Sequence, residues 1–68
     1  MGDLESIGLA IMKVRQARGM SQEDLAGAAD VARNYISRIE NGHVAFSVPV
    51  LLKIAEALDI EPSKLLKR

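Results

Sequence analysis

Apolar residues recur at spacings of three and four along nearly the whole chain, and each run is followed by a residue that stops a helix. A chain patterned this way folds by packing short amphipathic helices stripe against stripe. Ile7, Ile11 and Val14 form the first stripe, continued at Arg18, in a helix expected from about Leu4 to Arg18 and ended by Gly19. Ser21 is a good N-cap for a second helix over about 22–29, with Leu25, Ala26 and Ala29 as its buried side. Gln22, Glu23 and Asp24 fill its first turn, where negative charge suits the helix dipole. Asp30 follows at a tight turn, where Gly takes a positive φ most easily and Asp or Asn come next. A third helix is expected from Arg33 to Asn41, closed by Gly42, and 43–47 is a loop. Ser47 caps a fourth helix that tolerates Pro49 in its first turn and carries the stripe Leu51, Ile54, Ala55, Leu58. Pro62 opens a short fifth helix whose Leu65 and Leu66 are expected to pack back on the rest. No stretch alternates as a strand would. The expected fold is all-α, five compact helices in a single domain over 1–68.

Composition narrows what such a domain does. With 68 residues the core supplies only a few kcal/mol net, so good helix packing or association should help it. Hydrophobic residues make up 49% and aromatic ones 3%, which describes an aliphatic core. The chain has no cysteine and a single histidine, His43, so neither a disulfide nor a recognisable metal site is expected. His43 is expected in a solvated loop or against a phosphate. Ser21, Ser37, Tyr35 and the scattered carboxylates do not form a nucleophile–base set, and so short a chain has little room for a cleft. No enzymatic activity, cofactor or small-molecule ligand is expected. No apolar run approaches the ~18 residues of a membrane helix. The opening MGDLESIG lacks the basic start and apolar run of a secretory signal, so a cytoplasmic location is expected.

Nine basic residues balance nine acidic ones. Zero net charge argues against nonspecific coating of nucleic acid and says nothing of local patches. The distribution is uneven: residues 21–30 carry only acids, while Lys13, Arg15 and Arg18, then Arg33 and Arg38, then Lys64, Lys67 and Arg68 lie in other segments. A basic surface must be assembled from separate elements.

The third helix, RNYISRIENG with its closing turn, has an uncommon polar face. At 100° per residue, Ile36 and Ile39 lie about 60° apart and define the buried side. Asn34, Ser37, Arg38 and Asn41 cluster on the far side, flanked by Arg33 and Tyr35, with no acid among them. Such side chains donate bidentate hydrogen bonds to guanine or adenine edges, or bond phosphates. An ordinary solvated face would instead mix Glu and Lys. The helix also follows another short helix across a three- to four-residue turn, which is the helix-turn-helix layout.

MSQEDLAGAADVARNYISRIENG resembles the helix-turn-helix of the Cro/CI-type, lambda-repressor-like DNA-binding regulators. IGLAIMKVRQARGMSQ is similar to that family's first helix and its lead into the second, and SVPVLLKIAEALDIEPSKLL to its fourth and fifth helices. About residues 7–66 are covered. Within the family, RNYISRIENG most resembles the small controller proteins of restriction–modification systems. The resemblance implies a sequence-specific transcriptional regulator that binds a palindromic or pseudo-palindromic operator as a homodimer, with the helix at about 33–41 in the major groove. It implies phosphate contacts at Ser21 and Gln22, Gln22 also bracing the recognition helix. Arg33, Asn34, Ser37 and Arg38 would reach bases or the flanking backbone, Tyr35 the sugar-phosphate wall, and Asn41 and His43 phosphate. Arg15 and Glu40 match a structural ion pair of the family. Glu40 lies only about 40° from Ile36 on the wheel, which independently places it near the buried side. Acids at the positions of Glu23 and Asp24 can touch a polymerase sigma subunit in this family.

Three departures stand out. Asp30 stands where the family usually has Gly, and Ala32 where it has a capping Ser or Thr, whose loss costs about 1 kcal/mol. The loop after Gly42 is apolar rather than basic, so fewer phosphate contacts and weaker salt dependence are expected. Val44, Phe46, Val48 and Val50, together with Pro62 and Leu66, are expected at a dimer interface, or else Phe46 folds under the fourth helix as core. An antitoxin or phage-type repressor shares the fold. A helical protein–protein adaptor that keeps the fold without DNA binding is the reading from a different class.

Overall fold

The computed structural model describes residues 3–66. Lys67 and Arg68, counted above with the basic tail, lie outside the described residues. Five helices follow in order: α1 (Asp3–Ala17), α2 (Gln22–Ala29), α3 (Arg33–Glu40), α4 (Val48–Ala57) and α5 (Pro62–Leu65). The all-α expectation holds. Helix α1 closes at Ala17 rather than Arg18, and α3 at Glu40 rather than Asn41, because Arg18 and Asn41 are half-in capping residues ahead of left-handed glycines.

The four longer helices all end the same way. A residue with positive φ follows each: Gly19 at 70°, Asp30 at 58°, Gly42 at 71° and Asp59 at 55°. Its N–H bonds a carbonyl three residues back, and the next N–H reaches five back: Met20 to Arg15, Val31 to Ala26, His43 to Arg38 and Ile60 to Ala55, at 2.9 to 3.1 Å. This is the Schellman closure, which satisfies carbonyls left open at a helix end. Asp30 thus takes the left-handed turn anticipated for it. Asp59 does the same at the end of α4.

The helix starts are less uniform. Ser21 Oγ accepts the Asp24 N–H at 2.9 Å and Asp24 Oδ2 accepts the Ser21 N–H at 2.9 Å, a reciprocal capping box. Ser47 Oγ accepts the Val50 N–H at 3.4 Å. Ala32 offers α3 no side-chain cap, as its methyl group dictates.

Helix α3 packs against both α1 and α2, α2 also packs on α4, and α5 closes against α4 and α1. The core joins Ile11, Leu25, Ala26 and Ala29 to Ile36, Ile39, Leu51, Ile54, Ala55, Leu58 and Leu65. Ile36 and Ile39 are fully buried, each contributing about 1.5–3 kcal/mol relative to exposure, and so hold α3 by its rear face. Ile7 and Val14 are half-buried against this core. Helix α1 passes so close to the end of α3 that a Cβ at Gly8 would collide with the Ile39 carbonyl oxygen and lie 2.9 Å from that of Glu40. Leu65 is buried but Leu66 is half exposed, contrary to the expectation that both pack back. Successive residues of a helix point about 100° apart, and a one-turn α5 turns only one of them to the core.

Candidate nucleic-acid interface

The rear of α3 fixes its front. With Ile36, Ile39 and Glu40 buried, Arg33, Asn34, Arg38 and Asn41 are exposed and Ser37 and Tyr35 half-buried, Tyr35 lying against the core. The outward face is therefore basic and amide-bearing with no acid on it, because the helix's one acid is turned inward. Asn41 is partly engaged already: its Nδ2 donates to the Ser37 carbonyl at 2.9 Å, helping to close the helix end. His43 is exposed in the turn that follows.

Glu40 is held by Arg15 from α1. Arg15 Nε donates to Glu40 Oε2 at 2.6 Å and its second terminal nitrogen to Oε1 at 3.1 Å, a bidentate pair. The side chains keep only 11% and 2% of their surface in contact with solvent. The remaining Arg15 terminal nitrogen donates to the Met20 carbonyl at 2.8 Å, tying in the link between α1 and α2. Gln22, at the start of α2, donates from Nε2 to Glu40 Oε1 at 3.1 Å, and its own Oε1 accepts from Arg33 at 3.4 Å. One run of hydrogen bonds thus joins α1, α3, the start of α2 and the outward face of α3. Among the described residues no buried side-chain nitrogen or oxygen is left without a partner.

Glu23 and Asp24 are exposed on α2. Asp24 is committed to the capping box, and the Ser21 backbone N–H, aided by its hydroxyl, holds the Asp24 carboxyl below the usual carboxylate range. Ser21 Oγ is engaged as an acceptor, leaving its hydroxyl hydrogen to donate elsewhere.

The apolar surface differs from the pattern expected of the loop. Val44, Phe46 and Val50 are half-buried against the molecule's own core, and Pro62 is half-buried as well. Phe46 therefore belongs partly to the core. Val48 stays 67% exposed, Leu66 50% and Leu52 48%. Leu52 was not singled out in the sequence, because the stripe of Leu51, Ile54, Ala55 and Leu58 assigns it to the solvent side. Val48 and Leu52 lie one turn apart on one face of α4. Gly8 was also missed; Gln22, expected to brace α3, reaches it through Glu40 and Arg33. Gly8 did carry a signal: glycine inside a helix costs about 1 kcal/mol against alanine and needs a packing reason.

The helix-turn-helix family model matches residues 11–65. The control protein C.BamHI of Bacillus amyloliquefaciens is 47% identical over 58 residues, which cover 79% of this chain and 72% of that protein. The transcriptional regulator PrpR of Mycobacterium tuberculosis is 38% identical over 53 residues, 78% of this chain, but the chain spans only 11% of PrpR's length. The crystal structure of the restriction–modification controller protein C.AhdI from Aeromonas hydrophila superposes with a TM-score of 0.91 at 41% identity, covering 93% of this chain and 96% of that one. Sequence pattern, helix order and the acid-free face of α3 agree with these matches. The chain belongs to the Cro/CI-type helix-turn-helix family of DNA-binding transcriptional regulators, not enzymes, and is closely related to the restriction–modification controller proteins.

Proposed function

We propose that the chain acts in the cytoplasm as a controller of a restriction–modification system, binding a pseudo-palindromic operator as a homodimer with α3 in the major groove. The observation that carries this is the outward face of α3. Arg33, Asn34 and Arg38 are exposed together while Glu40, the one acid of the helix, is buried on an arginine. Arg33 and Arg38 suit guanine edges or phosphate, and Asn34 suits adenine. Gln22 and Ser21 lie at the start of α2, where backbone N–H groups favour a phosphate. The exposed Val48, Leu52 and Leu66 supply the dimer contact, with Val44, Phe46, Val50 and Pro62 as partly covered support. A twofold dimer would set two recognition helices about 34 Å apart, one turn of DNA. Glu23, exposed and free of the capping box, is the better candidate for a polymerase sigma contact than Asp24.

Sedimentation velocity with and without a DNA fragment enriched from a random duplex library tests this directly. Two chains per fragment, with affinity falling modestly as salt rises, is the expected result. A folded chain that shifts no fragment at low salt would point to a protein–protein adaptor.

A further inference from the structure

We infer that Glu40, buried behind the recognition helix, sets the base preference of Arg33 by fixing the side-chain amide of Gln22. The inference rests on Arg33 facing DNA as proposed above. Three contacts carry it. Arg15 grips both Glu40 oxygens, at 2.6 and 3.1 Å, so the carboxylate is fixed in place. Gln22 Nε2 donates to Glu40 Oε1 at 3.1 Å. Gln22 Oε1 then faces the Arg33 guanidinium, with 3.4 Å between the bonded atoms.

The chemistry permits only one orientation of that amide. An ionised carboxylate only accepts hydrogen bonds and a guanidinium only donates them. Flipping Gln22 would set oxygen against the carboxylate and NH2 against the guanidinium, and both contacts would be lost. Glu40 therefore determines that an acceptor is presented to Arg33. That matters because Arg33 is the first residue of α3, exposed, and preceded by an Ala32 that offers no capping oxygen. In the hydrogen bonds of the structure its guanidinium is steadied by Gln22. The 3.4 Å contact is long for a hydrogen bond, so it biases the direction of the side chain without competing strongly with a guanine edge. Arg15 and Glu40 are thus positioning residues for base selection, in addition to joining α1 to α3. The energy is local: a residue that merely braces the helix weakens every site alike, whereas one that aims Arg33 changes the preference at Arg33's own base pair.

The test uses a panel of duplexes carrying every single base-pair change in a selected site. Arg33→Ala identifies the base pair that Arg33 reads, where wild-type discrimination is expected to be about 5- to 150-fold. The Arg15→Met/Glu40→Leu double variant replaces the buried pair by apolar side chains, a change that folded proteins often accept, and removes the carboxylate from Gln22. Gln22→Met cuts the same run of bonds without touching the buried pair. Both are expected to lose several-fold discrimination at Arg33's base pair and to keep the ranking elsewhere. Ile39→Val, which loosens the core without touching these bonds, should keep it everywhere. Uniformly weaker binding with Arg33's preference intact, in the folded double variant or in Gln22→Met, would overturn the inference. So would equal erosion by Ile39→Val, or an Arg33→Ala protein with unchanged preferences. A wild type without any sequence preference would instead strike the proposed function itself.

Discussion

Arg15 reaches from α1 to Glu40 at the end of α3 and holds it with two hydrogen bonds, at 2.6 and 3.1 Å, with both side chains buried. Helix α3 is therefore fixed to α1 by charge as well as by the buried Ile36 and Ile39. Removing one partner of a buried pair leaves the other charge uncompensated, at a cost of about 3–5 kcal/mol. Glu40→Gln should lower the urea midpoint by an amount near the top of what single substitutions do. A melting curve that matches wild type would show that the pair does not hold α3.

Gly8 packs α1 onto the same helix end. A Cβ there would collide with the Ile39 carbonyl oxygen, and backbone atoms cannot step aside as a flexible side chain can. Gly8→Ala is expected to destabilise by about 1–3 kcal/mol despite alanine's better helix propensity, because overpacking outweighs it. Chemical denaturation checks the sign: a more stable Gly8→Ala protein would mean the two helices separate freely.

Asp30 holds a left-handed conformation at φ 58°, a place where glycine carries no Cβ penalty. Asp30→Gly should raise stability by up to about 1 kcal/mol, read as a higher melting temperature. Its N–H bond to the Gly27 carbonyl, at 3.3 Å, is kept in the variant.

Asp24 ties part of the stability to pH. Its carboxyl is held below the usual range by the Ser21 N–H and hydroxyl, so the folded state favours the ionised form. That contribution is fully present above the unfolded carboxylate's pKa and is lost as pH falls through the lowered folded value. Asp24→Asn should flatten this part of the acid limb in a titration of melting temperature against pH. An unchanged acid limb would mean that the capping box contributes nothing through charge.

The proposed dimer contact rests on Val48 and Leu52, which are exposed, more than on Phe46, which is half-buried. Leu52→Asp should leave a folded monomer whose affinity for a symmetric site falls by about 10²-fold or more, since the second half-site no longer binds intramolecularly. Phe46→Asp should lower the melting temperature itself. Sedimentation and thermal melting together separate the two outcomes.

Most of this architecture was legible in the residues. Apolar spacing placed the first four helices, Pro62 opened the short fifth, and Gly19, Ser21, Asp30, Gly42 and Ser47 marked helix ends, because caps and left-handed turns demand particular residue types. The inward turn of Glu40 followed from its place on the wheel beside Ile36. The packing between elements was not legible. The collision course at Gly8 depends on the distance between α1 and α3, which neither helix encodes alone. The Glu40–Gln22–Arg33 contacts join residues 11 and 18 positions apart in sequence, through rotamers that only the assembled fold selects. Leu52 escaped notice because a helical stripe identifies what is buried in one chain and not what a second chain covers.

The central claim is that the acid-free face of α3 reads base edges. Selection of binding sites from a random duplex library, run in parallel with wild type and Arg33→Ala, tests it most directly. Wild type should enrich a twofold-symmetric site with half-sites about one helical turn apart, and Arg33→Ala should lose one symmetry-related pair of positions from it, at about 1–3 kcal/mol each, while keeping the rest. The same enriched site from both proteins, or none from wild type, would contradict it.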